Sequence, residues 1–186
     1  MESSVSLTSA KQMRALAHPL RMRVLGELRI NGPRTVGGLC EVFDEAPGNL
    51  SYHLSKLAEF GFIEEVPELS ADRRERWWRA AHEFTNIETK ADAPADEKLA
   101  MTVVRHQIID GYSDTLHRAV DAEAALPPEW AKPSGSSDIA AYLTAEEFAE
   151  ASKDLEAVLD KWHNRSNRDR EGVEIVQLMA HAVRMP

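Results

Sequence analysis

Asn49, Tyr52, His53 and Lys56 recur at i, i+3, i+4 and i+7 within "EAPGNLSYHLSKLAEFGFIEE". On a helix, that spacing gathers an amide, a phenol, an imidazole and an ammonium group on one face. A carboxamide can pair bidentately with adenine, and phenol or imidazole groups can donate or accept at base edges or phosphates. Lys56 suits a phosphate. Gly48 and Ser51 are small, which lets the start of the helix come close to a polyanion, where free backbone N–H groups favour phosphate. Leu50, Leu54 and Leu57 form the opposite, apolar stripe. A second set of cations, Arg73, Arg74 and Arg76, lies in "SADRRERWW". Such a basic tip suits phosphates or a narrow minor groove.

Several elements must position these groups. Ser9 and Gln12 form an S-x-x-Q start signal ahead of Met13, Leu16 and Ala17. Pro19 opens a second helix with Leu20, Val24, Leu25 and Leu28 inward, and Asn31-Gly32-Pro33 stops it. Thr35 caps a short third helix on which Val36, Leu39, Cys40 and Phe43 repeat at helical spacing. Asp44-Glu45-Ala46 leaves room only for a tight turn before the helix that carries Asn49 to Lys56, with Phe60 near its apolar face and Gly61 as its stop. Two short helices joined this way, the second polar on its outer side, make a helix-turn-helix. "FIEEVPEL" and "RERWWRAA" then read as a β-hairpin, with Pro67 placing the first strand at an edge and one of Trp77 and Trp78 turned into the core.

Beyond residue 82 the composition changes. Residues 95–125 read as one long helix with Leu99, Val103, Val104, Ile108, Ile109, Tyr112, Leu116 and Val120. That apolar stripe is too wide for one small neighbour, so it is expected to pack on its own domain and on a second subunit. "LPPEWAKPSGSSD" is a linker, and Thr144 with Glu147 opens a helix reaching about His163. "VEIVQLMAHAV" reads as a closing strand, from its β-branched and apolar content.

Of 186 residues, 43% are hydrophobic and 28% charged, a mix that supports packed cores. The net charge of −9 argues against a polyanion partner, but its distribution does not. Residues 1–80 hold 11 basic and 11 acidic side chains, whereas residues 81–186 hold 11 and 20. No apolar run approaches the roughly 18 residues of a membrane span. Cys40 is the single cysteine, and the N-terminus lacks a signal-peptide pattern, so a reducing cytoplasm is expected. G-x-G-x-x-G, P-loop, H-E-x-x-H and G-x-S-x-G patterns are absent, so no enzyme and no cofactor are expected.

"HPLRMRVLGEL", "LSYHLSKLAEFGFIEEV" and "DRRERWWR" together resemble the winged-helix domain of ArsR-like bacterial transcriptional regulators, over roughly residues 10–82. The acidic C-terminal half resembles the extension of some longer actinobacterial relatives. The resemblance implies a homodimer, an operator with two half-sites, and Pro47 to Phe60 as recognition helix. It also implies Asn49, Ser51, Tyr52, His53, Lys56 and the wing arginines Arg73, Arg74 and Arg76 as contacts to double-stranded DNA.

Two departures bear on metal sensing. The helix before the recognition helix holds one cysteine where metal-sensing relatives often carry a pair. On the long helix, His106, Asp110, His117 and Asp121 lie within about 60° of arc. Yet Val104 and Val120 stand where such relatives place carboxylates. No metal is therefore expected, and His18 reads as a turn or capping residue.

The expected fold is α+β and mostly helical. A winged helix-turn-helix DNA-binding domain (1–82) precedes a helical dimerisation region with a small C-terminal strand/helix/strand part (83–186). The expected function is sequence-specific regulation of transcription, as a repressor, with an effector of unknown identity. The alternatives are a winged-helix module that binds protein without DNA, and a metal-responsive regulator using His106, Asp110, His117 and Asp121.

Overall fold

Ser9, Pro19, Thr35 and Pro47 each start a helix, as their chemistry requires. In a computed structural model, residues 2–70, 75–86 and 92–185 are described, in two compact units, Met1–Lys132 and Pro133–Pro186. The first unit runs β1 (Glu2–Ser6), α1 (Ala10–Leu16), α2 (Pro19–Ile30), β2 (Arg34–Thr35), α3 (Val36–Phe43) and α4 (Pro47–Glu59). It continues with β3 (Ile63–Glu65), β4 (Trp77–Ala80), β5 (His82–Asn86), α5 (Ala95–Ala122) and α6 (Pro128–Ala131). The fold is α+β, mostly helical, and of the winged helix-turn-helix kind.

Helix boundaries follow from local hydrogen bonding. Ser9 Oγ accepts from the Gln12 N–H at 3.3 Å, and Thr35 Oγ1 accepts from the Gly38 N–H at 3.1 Å. Gly61, at φ 74°, ends α4 in a Schellman motif. There the Phe62 N–H donates to Leu57 O and the Gly61 N–H to Ala58 O, both at 3.0 Å. Phe62 and Leu57 are themselves buried, which ties the end of α4 to the start of β3.

One core holds these elements. Val24 of α2, Leu39 of α3, Leu50, Leu54 and Leu57 of α4, Phe62, and Met101 and Val104 of α5 are fully enclosed. Each such side chain contributes roughly 1.5–3 kcal/mol from burial. α4 is therefore fixed by its leucines, which is what frees its other face. The first turns of α5 belong to this same core, so the compact unit continues past residue 82.

The wing is an antiparallel sheet in the order β2-β4-β3, with Arg34 opposite Trp78 and Glu64 opposite Arg79. Trp78 is buried and Trp77 half-buried, the alternation a strand imposes. β3 is an edge strand, but it is shorter than "FIEEVPEL" suggests. Pro67, which cannot donate to a ladder, opens a 3₁₀ turn at Pro67–Leu69. A second sheet pairs β1 with β5 in parallel, Ser4 opposite Phe84. Arg29 braces it, its Nε donating to His82 O at 3.0 Å and its Nη2 to Thr85 Oγ1 at 2.8 Å. Burial pushes the Arg29 guanidinium down to about 10, still charged at neutral pH.

The second unit contains α7 (Ala145–His163), opened by a reciprocal capping box between Thr144 and Glu147. The two hydrogen bonds that Glu147 exchanges with Thr144 hold its carboxyl below the usual range. The expected closing strand does not form: residues 173–183 lie in no helix or strand. The expected strand before α7 is absent as well, among the described residues. β-branched residues favour a strand only where a neighbour completes the ladder, and this unit offers none.

Candidate nucleic-acid interface

α3 and α4 meet through a turn only three residues long. Asp44 takes the left-handed conformation at φ 53°, which Asp tolerates better than most residues, and its N–H donates to Cys40 O. Ala46 then starts α4 without a side-chain cap, and Pro47 fills the first turn. Pro47, Gly48, Asn49, Ser51 and Tyr52 all lie exposed at this end, Tyr52 by 56%. The result is a slim, amide-rich tip with an outward phenol.

The predicted contacts divide into three groups. Asn49, Ser51 and Tyr52 are exposed on α4, and Lys56 is half-exposed on the same side. Two of them have carboxylate neighbours: Asn49 Nδ2 donates to Glu45 Oε2, and Lys56 Nζ donates to Glu59 Oε2, both at 2.7 Å. The bond to Glu59 raises the Lys56 pKa, so its charge is secure. On the wing, Arg76 is exposed, donates to Glu65 Oε2 at 2.7 Å and lies 4.7 Å from the centre of the Trp78 ring. That bond raises the Arg76 pKa and lowers that of Glu65. Arg73 and Arg74 lie outside the described residues.

His53 corrects the sequence reading. It is only 5% exposed, so it does not stand on the outer face with Asn49, Tyr52 and Lys56. By the 100° helical step it lies about 40° from Asn49 and about 40° from Leu57, on the border between the two faces. The start of α2 decides the matter by leaning over that border. The His18 and His53 rings meet at a tilt of 41° with centroids 4.4 Å apart, and Tyr52 meets His53 edge-on at 5.3 Å. Burial lowers the His53 pKa first, with His18 and Arg21 adding to it and Glu45 opposing. The His18 pKa is lowered by burial, then by Arg21, again against Glu45.

His18 occupies the N-cap position of α2, as expected, but its side chain makes no cap hydrogen bond. Its ring goes to His53 instead. Arg21 is a residue that sequence reasoning did not single out. Its Nη2 donates to Arg14 O at 3.0 Å, and it acts electrostatically on Tyr52, Lys56 and both histidines. Only the packing of α2 on α4 brings it there. Its one sequence signal was a position two residues after the helix-opening Pro19.

The long helix offers little for metal. His106, Asp110, His117 and Asp121 are all exposed. His106 and His117 are eleven residues apart, which places them about 16 Å apart along the axis, too far for one ion. No cluster of three or more potential ligands that could hold a metal occurs among the described residues. Cys40 is half-buried and packs against the core. No helix among the described residues is long and apolar enough to cross a membrane.

Comparison with known families matches residues 16–66 to the family described as Helix-turn-helix domain. The matched span runs from the end of α1 through α4 to the residue after β3, and so contains the exposed face of α4 but not Arg76 of the wing. Comparison with curated proteins gives no match. Family match and fold agree: residues 16–66 match a helix-turn-helix domain, and they lie within a winged helix-turn-helix fold.

Proposed function

We propose that this protein is a sequence-specific DNA-binding regulator of transcription, an ArsR-like repressor that acts as a homodimer on two half-sites. The observation that carries the reading is the division of α4: Leu50, Leu54 and Leu57 are fully buried, while Asn49, Ser51 and Tyr52 are exposed beside Lys56. A recognition helix needs that division, since it must be held rigidly and still present hydrogen-bonding groups to a groove. Arg76 and the neighbouring Arg73 and Arg74 supply the wing's backbone contacts. The dimer uses α5, where Ile109, Leu116 and Val120 are exposed on one stripe of a 28-residue helix. A surface of that kind marks an interaction site.

The test is selection of genomic fragments on the purified protein, followed by a salt titration on a recovered fragment. The expected result is enrichment of a sequence with two related half-sites and a log–log salt slope of several units, since each phosphate contact contributes nearly one. Uniform recovery of all fragments, or no retention at low salt, would contradict the reading and favour a protein-binding module.

A further inference from the structure

We propose that His53 is a positioning residue for DNA recognition: packed ring to ring against His18, it clamps the recognition helix to the start of α2 and aims Tyr52, and protonation of the pair releases the clamp. The proposal rests on the reading of α4 as a recognition helix. Three observations carry it. His53 is buried, so its ring cannot reach a base edge from where it stands. It touches His18 on one side and Tyr52 on the other, linking the α2 cap to the most exposed aromatic of α4. Finally, Nδ1 of His18, Nδ1 of His53 and Nε of Arg21 are all buried without a hydrogen-bond partner among the described residues. No hydrogen bond from those Nδ1 atoms stabilises a proton on either ring.

The surrounding charges set the direction. Arg21 of α2 faces both histidines, and Glu45 of the turn is the carboxylate that opposes it. On α4, the Tyr52 ring meets His53, and Lys56 is already bound to Glu59. Adding a proton to each imidazole would place two like charges in rings 4.4 Å apart beside a third on Arg21. One carboxylate cannot balance all three. Both histidine pKa values lie below the ordinary one, so the folded state gives up these protons before the unfolded state does. The pair's contribution is complete above the unfolded-state pKa and is lost as pH falls through the lowered folded values. Loss of this ring contact frees Tyr52 without unfolding the leucine-anchored helix.

The experiment uses the full chain and a fluorescent mixed-sequence duplex between about pH 8 and about pH 5. Ring signals of His18, His53 and Tyr52 are followed by NMR, and duplex affinity by anisotropy at each pH. The expected result is that His18 and His53 titrate together, below the ordinary histidine value of about 6.5, and that the Tyr52 ring signals shift with them. Affinity should fall about tenfold across the same window, while far-UV circular dichroism stays constant. His18→Gln should flatten the affinity profile to about twofold or less, the remainder reflecting general charge screening. The clamp is overturned if Tyr52 signals stay still while the histidines titrate, or if folded His18→Gln keeps the full pH dependence. Should His18→Gln fail to fold, the wild-type NMR titration decides alone. Absence of duplex binding at every pH would overturn the recognition reading, and whether the Tyr52 signals follow the histidine titration would still decide the clamp.

Discussion

Asn49, Lys56 and Arg76 each touch a glutamate within the first unit: Glu45, Glu59 and Glu65. Binding a duplex therefore exchanges carboxylate for phosphate or base edge at each position. Exposed ion pairs are weak and salt-screened, so the exchange is feasible, and it tempers attraction to arbitrary DNA. Lys56→Ala should weaken binding to all sequences alike and reduce the salt slope by about one, read from anisotropy titrations at several salt concentrations. Glu59→Gln should act in the opposite direction, strengthening non-specific binding. Tyr52→Ala should instead change which sequence is preferred, visible as a shifted consensus in a repeated fragment selection. The outer-face position of Asn49, Tyr52 and Lys56 was legible in the sequence because their spacing opposes the leucine stripe. His53 was not, because it lies on the border of that stripe. Which side of the border it joins depends on α2, a contact that helical spacing does not encode.

At the scale of the element, capping chemistry placed the helices and backbone geometry joins them. Gly61 separates two effects cleanly. A methyl group added there meets nothing within 4 Å, yet the backbone has φ +74°. Gly61→Ala should thus cost about 1–2 kcal/mol through conformation alone, measured by urea denaturation. Leu54→Ala acts through packing: with the side chain fully enclosed, it should cost about 2–5 kcal/mol in the same assay. It should also loosen α4 and weaken DNA binding. Ser9, Pro19, Thr35 and Gly61 announced these boundaries in the sequence, since each satisfies a local need. The parallel pairing of β1 with β5 was not legible, because its partners are some 80 residues apart and only the folded chain aligns them.

Across the whole molecule, charge and apolar surface divide the work. The first 80 residues are electrically balanced, and the remainder carries the entire net charge of −9. Such a field repels polyanions from the second half and favours approach through the first. The stripe of Ile109, Leu116 and Val120 should join two copies. Leu116→Glu with Val120→Glu is expected to shift the particle to monomer mass in light scattering and to lower operator affinity, with helicity unchanged. The length of α5 and the capped α7 were legible from periodicity and Thr144-x-x-Glu147. The lack of a strand at 173–183 was not, because the segment's composition suits a strand but cannot supply the strand beside it. The most direct test of the DNA-reading face is NMR shift mapping of the full chain with a duplex recovered from the genomic selection. The largest changes should fall on Gly48 to Lys56 and on Arg76, with His53 shifting less than Tyr52. Changes confined to α5 or to residues 133–185, with α4 silent, would show that this helix does not read DNA.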